Sequence, residues 1–264
     1  MNSCQLFYPG APFNLPKIDN PFAISLPPLT DDGVMCIVLD LAGKFEAWLD
    51  AARHRVSSGE LARAAHFHQR SDAARHLVGR ALARTLLARA LGRTALREEF
   101  AVNPWGKPLL PSCGHEFNIA HSGDLVCLAL SRGIAVGIDV EQAVAAVDPY
   151  PLAEIFHPAE CAAIRAQAPT PAQASFLRCW TRKEAVAKAL GQGLAQALDR
   201  FRVRVDACSG CWLEEAPETP VQGWTCADLP VAAGYHASVA ANRGGLFFSC
   251  HRLGSAMPEK PEGS

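Results

Sequence analysis

Apolar positions recur along the chain at two periods, one of strands and one of helices. Val34 to Leu39 is an uninterrupted apolar run and reads as a buried strand, followed by a helix over Phe45 to Arg55. Ser57-Ser-Gly-Glu60 has the spacing of a capping box and opens the next helix. Ser71 is the predicted N-cap of a long helix from Asp72, with Leu77, Leu82, Leu86, Leu87 and Leu91 as its apolar stripe and Gly92 as its stop. Arg75, Arg80, Arg84 and Arg89 lie off that stripe. The ordinary meaning of such charges is a solvated helix face.

Phe100 to Asn103 reads as a strand entering the Pro104-Trp-Gly-Lys-Pro108 turn, which presents Lys107 at its tip. Phe117 to Ile119 and Leu125 to Leu130 are predicted strands, leaving His121 on the loop between them. Ile134 to Val140 is short, apolar and broken by glycine, so it reads as a buried strand whose last residues emerge at a site. A helix starts near His157 with Pro158 in its first turn, and a long helix spans Ala172 to Leu190. Strands are expected near Phe201 to Asp206, Tyr235 to Ala241 and Leu246 to His251. The first 33 residues contain Pro9, Pro12, Pro16, Pro21, Pro27 and Pro28 and read as an extended arm.

Chemistry concentrates on the last long helix. At about 100° per residue, Trp180, Glu184 and Lys188 share an edge beside an apolar stripe of Phe176, Cys179, Val186 and Leu190. Lys183 falls in the stripe, where an unpaired ammonium is costly, so it must find a carboxylate or reach solvent. In Val136-Gly-Ile-Asp-Val-Glu141, strand alternation sends Asp139 and Glu141 to one side. Three carboxylates facing one point repel unless a cation sits among them, and hard oxygen ligands suit Mg2+. Taken alone, each piece also reads as a surface i,i+4 salt bridge and an ordinary acidic strand end.

A formal net charge of −1 over 264 residues gives no global basic field, so nucleic acid is not an expected partner and a small anionic ligand is favoured. Of the ten cysteines only Cys208 and Cys211 have metal-like spacing, with no second pair to complete a zinc site, so reduced thiols are expected. No apolar run is long enough to span a bilayer and no basic-then-apolar leader opens the chain, so no membrane association and a cytoplasmic address are expected.

Gly106-Lys-Pro108, Phe117-Asn-Ile-Ala-His-Ser-Gly123, Gly137-Ile-Asp-Val-Glu141, Phe156-His-Pro-Ala-Glu160 and Trp180-Thr-Arg-Lys-Glu-Ala-Val-Ala-Lys-Ala-Leu-Gly191 resemble, in order, the successive motifs of Sfp-type 4′-phosphopantetheinyl transferases. The resemblance runs from about Ser57 to His236. It implies an α+β fold of two similar α/β halves in pseudo-twofold arrangement, the 4′-phosphopantetheinyl transferase fold. Read this way, residues 1–33 are the arm, 34–136 a half with coenzyme A nucleotide contacts, 137–253 a half with the magnesium site and carrier groove, and 254–264 a tail.

The resemblance further implies transfer of the 4′-phosphopantetheine arm of coenzyme A to a serine of an acyl or peptidyl carrier protein, for which a monomer suffices. Asp139, Glu141 and Glu184 are the implied metal ligands; Glu184, Lys188 and Asp139 the catalytic groups; and Arg63, Arg75, Lys107, His121 and Lys188 the coenzyme A contacts. The carrier groove is expected along Phe156 to Glu160 and Phe176, with Arg165, Arg178 and Arg182 as basic contacts. Ala120 stands where the family usually has serine, so a hydroxyl aimed at a phosphate is absent. The rival readings are a magnesium-dependent coenzyme A pyrophosphate hydrolase and a non-catalytic coenzyme A or carrier-binding module.

Overall fold

A computed structural model describes residues 6–7, 22, 26–111, 113–144, 147–191, 198–217 and 220–254 of the chain. Most of the expected arm, and the tail from 255 onward, lie outside these residues. Strands β1 (Leu6–Phe7) and β2 (Gly33–Asp40) precede three helices, α1 (Phe45–Arg53), α2 (Ser58–Ala64) and α3 (Arg70–Ala90). The minor strands β3 (Ala101–Val102) and β4 (Pro108–Leu109) lead to β5 (His115–Ser122), β6 (Leu125–Arg132) and β7 (Val136–Gln142). Helices α4 (Pro149–Leu152), α5 (Pro158–Arg165) and α6 (Pro169–Leu190) follow. Strands β8 (Arg202–Val203), β9 (Leu213–Glu215), β10 (Thr225–Asp228), β11 (Tyr235–Ala241) and β12 (Phe247–Leu253) complete the mixed α+β fold.

Two sheets pack face to face. One has the order β1-β12-β2-β6-β5, and the other is the antiparallel set β10-β11-β7. Leu77, Leu82 and Leu86 of α3 pack with Ile37, Leu39, Phe117 and Leu128 on the outer face of the first sheet. Its inner face, with Val34, Cys36, Val38 and Cys127, meets Val136, Ile138, Val140 and Val239 of the second. Phe176, Cys179 and Val186 of α6 pack on the far side with Ala240 and Trp212. The order is therefore helix, sheet, sheet, helix, and both faces of each main sheet are covered. The last strand β12 returns to run parallel to β2, so the chain closes in its first sheet.

Local signals set several boundaries. Ser57 caps α2 and exchanges hydrogen bonds with Glu60, and His157 and Glu160 do the same for α5 with Pro158 in the first turn. The long helix α3 instead begins at Arg70, behind Gln69 and without a side-chain cap, so Ser71 lies inside it. Ser122 pairs with Leu125 across a two-residue hairpin turn in which Gly123 has φ +54°. His121 is consequently on strand β5, paired with Val126, and not on a loop.

Arg84 corrects the solvated reading of the α3 charges. It is 2% exposed, donates to Glu60 at 2.7 Å and to the carbonyls of Leu96 and Glu98, and lies over the Phe100 ring. The basic face of α3 is therefore partly a buried ion pair that ties α2 to the loop after α3.

Candidate active site

Helix α6 lies directly on the backbone of β7 because residue 137 has no side chain. A Cβ built there would fall 2.1 Å from the Ala185 carbonyl oxygen and 2.4 Å from Ala189 N, closer than real atoms approach. Strand alternation then turns Asp139 and Glu141 toward the helix, while Val136, Ile138 and Val140 face the core between the sheets. On α6, Glu184 and Lys188 stand one turn apart over the same spot.

There Lys188 Nζ lies 2.5 Å from Asp139 Oδ1 and 4.0 Å from Glu184 Oε2. Asp139 is 4% exposed and Glu184 7%. Each retains a buried carboxylate oxygen, Asp139 Oδ2 and Glu184 Oε1, with no hydrogen-bond partner among the described residues. Glu141 Oε2 accepts from Ser122 Oγ at 3.0 Å, and the same hydroxyl accepts from Gln142 N. Among the described residues no three His, Cys, Asp or Glu side chains form a ready metal cage. Lys188 is the cation that Asp139 and Glu184 share.

The electrostatics follow from burial. Desolvation pushes the Glu184 carboxyl up to about 7 against the pull of Lys188, and Asp139 and Glu141 add to the rise. Asp139 is raised by burial in spite of its ammonium partner, and Glu141 by burial and then by Asp139. Burial is the largest single influence on Lys188 and lowers it, yet Asp139, Glu184 and Glu141 together outweigh burial and raise it. The ammonium stays charged, and the acid nearest to neutrality is Glu184.

Beyond Lys188 lies a cationic group. Desolvation, then Arg75, lower His121, which also feels Lys188. Arg75 donates to the Gly123 carbonyl at 2.7 Å, which holds it against the hairpin turn, and also pairs with Asp72. His76 is lowered to about 4 by burial, then by Arg80 and Arg63, with His121 adding to the effect. Arg63, Arg75, Arg80 and His121 thus gather around α3 and the end of β5, beside the carboxylates. Such a group of cations has the charge to attract a phosphate-rich anion.

Comparison with known proteins bears on the same residues. The family model described as 4′-phosphopantetheinyl transferase superfamily matches residues 135–240, and that described as 4′-phosphopantetheinyl transferase, N-terminal, matches 44–132. A 4′-phosphopantetheinyl transferase of Bacillus subtilis is 34% identical over 155 residues, covering 57% of this chain and 66% of that protein. The 4′-phosphopantetheinyl transferase HetI of a Nostoc species is 32% identical over 177 residues, covering 65% of this chain and 74% of its own length. The chain belongs to the 4′-phosphopantetheinyl transferase family. Sfp of Bacillus subtilis strain 168 is 30% identical over 143 residues, covering 53% of this chain and 62% of that protein. The matched stretches therefore span from 62% to 74% of these three relatives.

Within this family member the expected site residues do not all gather at one point. Asp139, Glu141, Glu184 and Lys188 converge, with His121 and Arg75 at their border; Arg63 stands farther along α2. Lys107 is not presented at a turn tip. It donates to the carbonyls of Val136 and Lys188, each at 3.0 Å, and burial lowers its pKa. Ala120 is 6% exposed and packs between the sheets, on the opposite face of β5 from His121, so a hydroxyl there would face β7.

Of the stretch expected along the carrier groove, Phe156, Glu160 and Phe176 are buried, whereas Pro158 and Ala159 are exposed. Phe156 and Phe176 are buried and stacked with ring centroids 5.4 Å apart. Arg182, expected as a basic contact, is fully buried, forks onto both oxygens of Asp228 and also donates to the Arg204 and Asp206 carbonyls. Arg165 is on the surface with Glu154, and Arg178 donates to the Val205 carbonyl. Exposed apolar side chains in this part of the chain are Val144, Val147, Leu152 and Ile155.

Sequence reasoning missed the side chains that hold the seam between the sheets. Asn118 Oδ1 accepts from Ile138 N at 2.9 Å, and Tyr235 Oη accepts from Asp124 N at 3.0 Å. The alternation of Asn118, Ala120 and Ser122 on one face of β5 was the available signal.

Proposed function

We propose that the chain transfers the 4′-phosphopantetheine arm of coenzyme A to a serine hydroxyl of an apo acyl or peptidyl carrier protein, releasing adenosine 3′,5′-bisphosphate. The observation that carries this reading is the pair of carboxylates on Lys188, with Glu141 nearby, in which Asp139 Oδ2 and Glu184 Oε1 are buried and have no partner among the described residues. An orphaned buried acceptor costs about 1–3 kcal/mol. A cation bound to them removes that cost.

The donor set fits magnesium: it is all oxygen and incomplete, and Mg2+ keeps waters and substrate phosphate oxygens in its shell. Asp139, Glu141 and Glu184 would hold it. Bound there, it would supply Lewis-acid stabilisation of the charge that builds on pyrophosphate oxygens.

The chain's own groups do the rest. Lys188, charged and fixed by Asp139, donates to the same phosphates. Glu184, which a bound cation would keep ionised, takes the serine proton as the serine oxygen bonds to phosphorus and the bond to the adenosine bisphosphate oxygen breaks. His121 and Arg75, with Arg63 behind them, hold the nucleotide phosphates. The exposed apolar side chains Val144, Val147, Leu152 and Ile155 are the groups offered to a carrier.

A single chain supplies every one of these groups, so a monomer suffices, and the nine described cysteines form no disulfide with one another, which accords with a cytoplasmic address. The test incubates the chain with coenzyme A, magnesium and a panel of apo carrier proteins and weighs the carriers. A phosphopantetheine adduct is the expected result. Coenzyme A cleaved without adduct would make the chain a pyrophosphate hydrolase, and binding without turnover would make it a carrier or coenzyme module.

A further inference from the structure

Helix α6 ends where its chemistry begins, and an end is the softest part of a helix. The last four carbonyls of a helix have no partner within it. Here Gly191, with φ 70°, turns the chain and returns its amide to the Ala187 and Lys188 carbonyls. That cap alone does not tie the helix to anything else.

The tie comes from 81 to 88 residues upstream. Asn103 Nδ2 donates to the Gly191 carbonyl at 2.8 Å. Lys107 Nζ donates at 3.0 Å to the carbonyl of Lys188 and at 3.0 Å to that of Val136. One ammonium therefore joins the residue that carries the site's cation to the first residue of the strand that carries Asp139. Asn103 also organises the turn, because its Oδ1 accepts from Trp105 N and Lys107 N. The positive charge sits at the negative end of the α6 dipole, where cations are favoured.

Because Gly137 leaves no side chain between helix and strand, a shift of the helix end moves Lys188 directly across Asp139. We propose that Asn103 and Lys107 are positioning residues: their turn clamps the C-terminus of α6 to the start of β7 and fixes the Lys188–Asp139 contact. This rests on the transferase reading for its kinetic consequence but not for the clamp itself. It assigns Lys107 a task other than holding the coenzyme, and it brings in Asn103, which no motif above includes.

The substitutions are Asn103→Asp, which retains the acceptor that shapes the turn but loses the donor to Gly191, and Lys107→Met, which removes the ammonium and keeps the stem. In the full chain with magnesium, coenzyme A and an accepted apo carrier, each is expected to lower kcat about tenfold or more while KM for coenzyme A stays within about twofold, since misplacing a reacting group by about 1 Å costs on the order of a hundredfold. Hydrogen exchange of amides 187–191, measured without substrates, is expected to quicken in both. His121→Ala, on the coenzyme side, is expected to raise KM and leave that exchange unchanged.

A raised KM for Lys107→Met together with wild-type kinetics for Asn103→Asp would overturn the proposal and return Lys107 to the coenzyme. If the wild-type chain transfers nothing, the transferase reading falls and exchange alone decides the clamp: faster exchange supports it and unchanged exchange overturns it.

Discussion

Two lysine–carboxylate pairs, one fully and one partly buried, lie within two turns of each other on α6, and they are built differently. Lys183 is fully buried; its ammonium meets Glu160 at 2.8 Å and the carbonyls of Leu198 and Phe201 at 2.7 and 2.6 Å. Glu160 in turn accepts from Val203 N and His157 N. The three donors of the ammonium are matched and both carboxylate oxygens are occupied. Lys188 meets Asp139 closely and Glu184 at 4.0 Å, and two carboxylate oxygens beside it have nothing. A completed pair holds the fold; an incomplete one, already desolvated and aligned, is ready to bind charge.

The sharpest way to break the comparison is to break the completed pair. Lys183→Met leaves Glu160 as an uncompensated buried carboxylate and is expected to destabilise the fold by about 3–5 kcal/mol, read from denaturant midpoints. Near wild-type stability would mean that the pair contributes little.

The incomplete pair is expected to answer in activity instead. Asp139→Ala and Glu184→Gln should abolish transfer while circular dichroism and the unfolding midpoint show an intact fold. Transfer at a near wild-type rate by either, at saturating magnesium, would remove the carboxylate cluster from the chemistry.

The pH dependence carries the same contrast. Glu184 has its folded pKa raised to about 7, so its contribution to stability is fully present below the unfolded carboxylate value and is lost as pH rises through about 7. In metal-free protein at pH 8, Glu184→Gln is therefore expected to be more stable than wild type by about 1–3 kcal/mol, and magnesium is expected to close the gap by binding the ionised form. Equal stability at pH 8 and pH 5.5, wild type against variant, would show that the carboxyl is not held up by burial.

Smaller effects lie at the border. His121→Ala should weaken coenzyme A by about 1–2 kcal/mol, within the range for one charge-assisted hydrogen bond, and slow saturated turnover less, as calorimetry with steady-state kinetics would show. Ala120→Ser is the least disruptive: with its side chain between the sheets, it is expected to change coenzyme A affinity by less than about twofold, a few tenths of a kcal/mol. Several-fold tightening in a calorimetric titration would mean that the hydroxyl does reach a phosphate.

What the sequence disclosed was local. The capping boxes at Ser57 and His157, the shared edge of Glu184 and Lys188 and the shared face of Asp139 and Glu141 each depend on spacings of two to four residues. Lys183 was legible as a group in need of a carboxylate, because the helical phase puts it in an apolar stripe. Its partner was not legible, since Glu160 belongs to another helix.

The same limit hid the burial of Arg84 and Arg182, whose carboxylates lie 24 and 46 residues away. Lys107 was misplaced because a Gly-Pro turn announces exposure, whereas this turn is pressed against the end of α6, 81 residues on. His121 was put on a loop because the two-residue hairpin is shorter than the polar stretch that surrounds it.

The central claim is that the incomplete cluster on Lys188 is the transfer centre, and intact-mass spectrometry of apo carrier proteins tests it most directly. Wild type, Glu184→Gln and Asn103→Asp are each mixed with coenzyme A, magnesium and the same carriers, and the adduct is followed in time. The account predicts a phosphopantetheine adduct with wild type, slow formation with Asn103→Asp and none with Glu184→Gln. Adduct formation by Glu184→Gln at the wild-type rate, or no adduct on any carrier with the wild-type chain, would contradict it.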